Sequence, residues 1–136
     1  MRYLAIDYGE KRTGLAICDP AQTIASPLTV IEGQKQLLQK IALICKAETV
    51  RAIVLGLPLN MDGSEGPQAK SARKFAAQLQ THLDIPLHFQ DERLTSFAAD
   101  DKLAPARLTR AKMKKHADAV AAAEILNAFL EAKKGR

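Results

Sequence analysis

Residues 2–18 read Arg-Tyr-Leu-Ala-Ile-Asp-Tyr-Gly-Glu-Lys-Arg-Thr-Gly-Leu-Ala-Ile-Cys. Two apolar runs, 2–8 and 14–18, flank a turn that opens on Gly9 and closes on Gly14, with Glu10, Lys11 and Arg12 between them. So short a connection between two strand-like runs predicts a β-hairpin at the start of the fold. Asp7 stands at the carboxyl end of the first run. A carboxylate there is costly to bury unless it is paired, hydrogen-bonded or bound to a metal; the other reading is a turn-initiating aspartate bonded to its own backbone.

Working outward, Asp19-Pro20 breaks the second strand, and residues 23–31 are β-branched enough for a third. Pro27 within it predicts a sheet edge or a bulge. From Gln34 the period changes: Leu37, Leu38, Ile41, Ala42, Ile44 and Cys45 follow helical spacing. Residues 52–57 form a continuous apolar run, as a strand covered on both faces does, and Pro58 ends it. A polar loop from Asn60 to Gly66 leads to a helix over 67–82 with Pro67 in its first turn; Ala69, Ala72, Phe75, Ala76 and Leu79 form its inner stripe. Residues 85–90 read as a fifth strand, Thr95 or Ser96 as the cap of a short helix to about Leu103, Arg107–Lys115 as a mobile basic loop, and His116–Ala132 as a final helix. The expectation is an α/β fold: a mixed five-stranded sheet, three antiparallel strands then two parallel ones joined by right-handed crossovers, with helices on both faces.

The chain has 136 residues, 47% of them hydrophobic and 26% charged, which suits one domain over 1–136 and excludes disorder as the dominant state. The net charge of +5 is uneven: residues 1–68 hold seven basic and seven acidic side chains, residues 69–136 thirteen and eight. A one-sided basic surplus points toward a polyanion such as nucleic acid. Absence of Trp and only 4% aromatic residues argue against a general single-strand binder built on stacking platforms. Cys18 and Cys45 lie in apolar stretches and read as buried free thiols, with no disulfide framework or zinc spacing. No signal-peptide core or membrane-length apolar run is visible, so a soluble cytoplasmic protein is expected.

Two further acids join Asp7. Glu92 follows the fifth strand within Asp91-Glu92-Arg93; if strands one and five are parallel, both carboxyl ends share the sheet edge where α/β ligands collect. Asp118, at about 100° per residue, aligns with Ala122, Ile125 and Phe129 on the stripe facing the sheet, with Val120, Glu124, Asn127 and Glu131 opposite. Three such carboxylates suit hard divalent cations, and two ions roughly 4 Å apart can activate water and stabilise a phosphodiester's leaving oxygen. Lys11, Arg12 and Arg93 beside these acids, and Arg110, Lys112, Lys114 and Lys115 before Asp118, are candidate phosphate contacts. Asn60 and Ser64 contact substrate or shape their turn; His88 reads as structural, and His116 as a candidate proton carrier.

Four segments carry a family resemblance: Ala5-Ile6-Asp7-Tyr8-Gly9 with Thr13-Gly14; Val54-Leu55-Gly56-Leu57-Pro58-Leu59-Asn60-Met61-Asp62-Gly63; Asp91-Glu92-Arg93-Leu94-Thr95-Ser96; and Asp118-Ala119-Val120-Ala121-Ala122-Ala123-Glu124-Ile125-Leu126. With these the sequence resembles the YqgF family of Holliday junction resolvase-like nucleases, in the ribonuclease H-like superfamily, over nearly its whole length. The resemblance implies a ribonuclease H-like fold and a Mg²⁺- or Mn²⁺-dependent nuclease with Asp7, Glu92 and Asp118 as acidic ligands. It also implies a cytoplasmic bacterial protein, monomer or homodimer, linked to 5′-end processing of precursor 16S ribosomal RNA. An older assignment within the family is cleavage of four-way DNA junctions. Related nucleases place an acid at the end of the fourth strand, where this chain has Gly56-Leu57-Pro58, and some carry a fourth acid where this chain has Lys115. A non-catalytic ribosomal RNA-binding factor on a nuclease fold therefore stands as an alternative. A nucleotide-binding module of the sugar kinase and actin type shares the strand-Asp-x-Gly beginning, but this chain lacks a second glycine hairpin and room for a duplicated domain.

Overall fold

A computed structural model describes residues 1–92 and 110–134, with side chains on the last helix from His116 onward. The sheet is built from β1 (Arg2–Asp7), β2 (Arg12–Cys18), β3 (Ala25–Glu32), β4 (Val50–Leu57) and β5 (Leu87–Asp91) in the order β3-β2-β1-β4-β5. β1 pairs antiparallel with β2 and β2 with β3, while β4 runs parallel to both β1 and β5. This is the mixed sheet that the hairpin and the later strand–helix alternation predict. Pro27 lies on the outermost strand, next to an irregularity opposite Leu15 and Ala16, so its missing N–H falls where no ladder bond is lost.

Among the described residues three helices cover the two faces: α1 (Leu37–Ala47), α2 (Pro67–His82) and α3 (Arg110–Lys134). Leu4, Ile6, Leu15, Leu55 and Ile53 meet α1 and α2 through Ile41, Phe75 and Leu79. The opposite face of the same strands, Tyr3, Ala5, Ala16 and Val54, meets α3 through Ala122, Ile125 and Leu126. Side chains alternate between the two layers as the pleat requires. The α3 layer is built from small residues on both sides, so the helix lies close against the strands.

Several boundaries differ from the sequence expectation. β2 begins at Arg12, because that residue already pairs with Glu32 on β3. α1 begins at Leu37, because Gly33 and Gln36 both adopt positive φ and keep the chain out of helix. The basic run from Arg110 to Lys115, expected as a loop, forms the first turns of α3. Arg, Ala, Lys and Met are all strong helix formers, and repulsion between like charges costs only a few tenths of a kcal/mol per pair. The short helix expected from Thr95 or Ser96 to Leu103, and the part of the basic loop before Arg110, lie outside the described residues.

The face of α3 is also wider than a single stripe. Ala122 and Ile125 are buried as expected, but so are Ala119, Val120 and Ala123, and Asn127 turns to β3, where its Oδ1 accepts the Ala25 N–H at 3.2 Å. Val120 and Asn127 therefore correct the expectation that placed them outward: a helix lying across several strands at close range buries more than one narrow arc.

The closest approach is at Gly14, where a Cβ would lie 2.0 Å from the backbone carbonyl oxygen of Asp118. That neighbour is main chain and cannot rotate away. Gly14→Ala is therefore expected to lift the first described turns of α3 and cost about 2–3 kcal/mol, typical of overpacking. Thermal unfolding checks this; a melting temperature within about 2 °C of the parent would contradict it.

Candidate active site

Asp7 ends β1 on the α3 side of the sheet. Its partner on β2 is Gly14, and the pairing of Ile6 with Leu55 sets it beside Gly56 on β4. Glu92 comes one residue after β5, and its N–H donates to the Leu57 carbonyl at 3.2 Å, which carries the parallel ladder one step past the strand. A Cβ on Gly56 would lie 2.7 Å from the Glu92 carboxyl carbon and 2.7 Å from Ile125. Glu92 thus fills the space a side chain at the end of β4 would take, reaching across from β5 to Asp7. The end of β4 itself carries no acid, and the acid that follows the next strand occupies that space.

The two carboxyls are hydrogen-bonded to one another. Burial, the Asp7 charge and the bond to Asp7 raise Glu92 to about 8. Asp7 is raised to about 6, by burial first and by the Asp118 charge, while the bond from Glu92 opposes the rise. Two half-buried carboxylates in contact do not ionise together without a compensating cation. Burial therefore favours one proton held between the two carboxyls, and the titration belongs to the pair.

Asp118 faces the sheet, as its place on the helix predicts. Its carboxylate accepts the Arg12 Nε–H at 2.7 Å, with both side chains about one-third exposed. Arg12, expected as a phosphate contact, is thus engaged with the third acid. Among the described residues no three acidic, histidine or cysteine side chains stand close enough to hold one ion together. The sheet edge brings Asp7 and Glu92 into contact and leaves Asp118 beside them on Arg12.

A cavity of about 530 Å³ opens over the acidic pair, between the β1–β2 turn and the start of α2. Tyr8 and Glu10 line one wall, Gln68 and Ser71 the other. The Tyr8 ring stacks on Phe75 at 4.1 Å and its hydroxyl donates to Gln34 Oε1 at 3.0 Å. Gln34 Nε2 donates to the Gly9 and Glu10 carbonyls, both at 3.0 Å, and so braces the turn. Sequence reasoning missed Gln34, Glu10, Gln68 and Ser71. Gln34 gave no signal, since its bonds reach back some 25 residues; Gln68 and Ser71 flank the inner stripe of α2 and could have been found from the helix start just beyond β4.

Other expected residues fall elsewhere. Asn60 Nδ2 donates to Ser64 Oγ at 3.0 Å and its N–H to the Ser64 carbonyl at 2.9 Å, which closes their loop on itself. Lys11 is exposed in the hairpin turn. His116 is half-buried two residues before Asp118, about 200° away around the helix. His88 is exposed, not part of the core. Arg93, and the side chains of Arg110, Lys112, Lys114 and Lys115, lie outside the described residues.

The raised carboxyls make a stability prediction. Between roughly pH 4 and 8 the folded pair binds more protons than the unfolded chain, so stability is present at the acid end and is lost as pH rises through that window. In chelator, the melting temperature is expected to fall by about 5 °C or more from pH 5 to pH 8. Glu92→Gln, which removes one of the two titrating acids, should flatten the slope. An equal fall in parent and variant would show that the pair does not carry it.

Comparison with known proteins is consistent across sequence and fold. The chain is 43% identical over 132 residues to a protein of Maridesulfovibrio salexigens, covering 96% of this chain and 98% of that one. It is 42% identical over 133 residues to one of Rhodopirellula baltica, covering 96% and 77%. Both carry the name "Putative pre-16S rRNA nuclease". Among solved structures it resembles Thermus thermophilus RuvC in complex with a Holliday junction substrate, with a TM-score of 0.62 at 14% identity over 99% of this chain and 96% of that one. It likewise resembles the fowlpox virus Holliday junction resolvase, with a TM-score of 0.58 at 14% identity over 98% and 99%. These neighbours bear out the ribonuclease H-like, resolvase-type fold. A family profile described as "RuvX: Holliday junction resolvase" matches residues 1–132, and the chain belongs to that family.

Proposed function

We propose that this chain is a metal-dependent nuclease, one domain over residues 1–136, that hydrolyses phosphodiester bonds in structured nucleic acid. The observation that carries the reading is the Asp7–Glu92 pair, two half-buried carboxyls in contact at the carboxyl edge of a resolvase-type sheet. Such a pair is stable only with a proton or a cation between its oxygens, and a donor set of carboxylate oxygens suits Mg²⁺ or Mn²⁺. Asp7 and Glu92 would hold the ion, with Asp118 as the third acid. When bound, a divalent cation supplies Lewis acidity toward a phosphate oxygen and lowers the pKa of water.

The chain's own residues do the rest. Loss of the shared proton converts the pair to the doubly ionised form that binds cations, so metal affinity should rise with pH. Arg12 holds Asp118 in place. Tyr8, Gln68 and Ser71 wall the cavity through which a backbone would reach the pair. The names of the relatives favour a nuclease that acts on precursor 16S ribosomal RNA; the reading we adopt is processing of its 5′ end, in the cytoplasm. A second reading, cleavage of four-way DNA junctions, is favoured by the family description and by the RuvC neighbour. Among the described residues no helix is long and apolar enough to cross a membrane.

The test incubates the protein and an Asp7→Asn variant with precursor 16S ribosomal RNA and with four-way junction DNA, with and without Mn²⁺. Cleavage that requires Mn²⁺ and falls by about 10²-fold or more in the variant is the expected result, the size of loss seen when one catalytic electrostatic group is removed. The substrate cut decides between RNA and junction DNA. Undiminished cleavage by Asp7→Asn would overturn the proposed site, and tight RNA binding without cleavage by the parent would favour an assembly role.

A further inference from the structure

A second groove lies on the α3 side of β5. Because parallel neighbours in register point the same way, His88 sits over Val54 and Gln90 over Gly56, on the face that meets α3. His88, Gln90 and Glu92 therefore form one row along the sheet edge, leading to the acidic pair. Opposite this row, α3 presents Phe129 and Lys133, and together they bound a groove of about 500 Å³, a size suited to one small ligand.

Of six Tyr and Phe side chains, three line this groove: Tyr3, Phe89 and Phe129. Tyr3 and Phe129 meet edge to face at 5.2 Å. The exposed His88 ring lies 5.3 Å from Phe129, tilted by 38°, and 6.4 Å from Tyr3. At the rim the Lys133 ammonium donates to Tyr3 Oη at 2.8 Å and to Gln22 Oε1 at 3.1 Å. Both acceptors are neutral, so the cation is fixed in position with its charge uncompensated by them. An open ring surface beside a positioned cation matches a ligand with a flat aromatic face and a nearby negative charge, which is the chemistry of a nucleotide within a strand.

We propose that this groove is a nucleotide subsite: it takes a base of a single-stranded segment adjoining the bond to be cut, stacked against His88 and Phe129, with a neighbouring phosphate on Lys133. The subsite rests on the nuclease reading above and adds a substrate feature to it. Glu92 is four positions on from His88, about 13 Å along an extended chain, so the base lies a few nucleotides from the acids. The preferred substrate is then a folded nucleic acid with an unpaired flank, and one stacked position suffices where a general single-strand binder would need many.

The test measures binding in EDTA, so that cleavage plays no part and a failed Asp7 assignment would leave the result untouched. A fluorescent RNA hairpin is compared blunt, with a short 5′ tail and with a short 3′ tail. One tail is expected to tighten binding by about tenfold, within the range for one stacked base. An abasic tail should lose that gain, and so should His88→Ala and the volume-conserving Phe129→Leu. Lys133→Met should reduce the gain and lower the salt dependence. Equal affinity for tailed and blunt hairpins, or a gain that survives both ring variants, would overturn the subsite. So would sedimentation showing that His88→Ala turns a dimer into a monomer, which would assign the groove to a second copy. Binding of neither hairpin would overturn the subsite and the nucleic-acid reading together.

Discussion

On the α3 face of the sheet, the positions on either side of Asp7 carry no side chain. Gly14 on β2 makes room for the backbone of α3 at Asp118, and Gly56 on β4 makes room for the side chain of Glu92. Two acids arrive by these two gaps, one on a helix and one from beyond the next strand: Glu92 reaches the carboxylate between them, and Asp118 stops beside it on Arg12. Filling either gap would push one acid off the sheet. The small residues that continue this layer, Ala5, Ala16, Ala122 and Ala123, extend the same condition along α3. Close packing of this helix and convergence of the acids have one steric cause.

The charge at the site is balanced in two different ways. Asp7 and Glu92 share a proton because burial makes two adjacent anions too costly. Asp118, about one-third exposed, is paired with Arg12. The first arrangement is open to exchange of a proton for a cation. The second holds the third acid near without adding it to the pair. This division agrees with the absence of a complete three-residue cluster among the described residues: the acids are gathered to one edge of the sheet, and one of them is still on its basic partner.

Much of this was legible in the sequence. The hairpin and the directions of the strands followed from two apolar runs across a short glycine-bounded turn and from the later alternation of strand and helix. Asp118 was readable as inward-facing because helical phase is a property of local spacing. Other features were not, for physical reasons. No spacing rule shows that Arg12 meets a residue 106 positions away, or that Glu92 occupies the space over Gly56, because both depend on how the sheet registers. The helical start of α3 was obscured by charge: a run of cations suggests a solvated loop, but the intrinsic helix propensity of those same residues outweighs their mutual repulsion. The burial of Val120 and the turning of Asn127 to β3 arise from how closely α3 approaches the strands, which is set by residues on other elements.

The bond from Arg12 to Asp118 also bears on the order of events during synthesis. It joins the first hairpin to α3, so the chain must be made past Asp118 before it can form. The hairpin and the central strands can pair earlier, since domains are made from the N-terminus and local contacts form first. A partly made chain would then carry Asp7 on a nascent sheet whose α3 face is still open to solvent, without its third acid. For a protein made on the ribosome and proposed to cut ribosomal RNA, late closure by α3 is a built-in delay: the three acids stand at one edge only once α3 has been made.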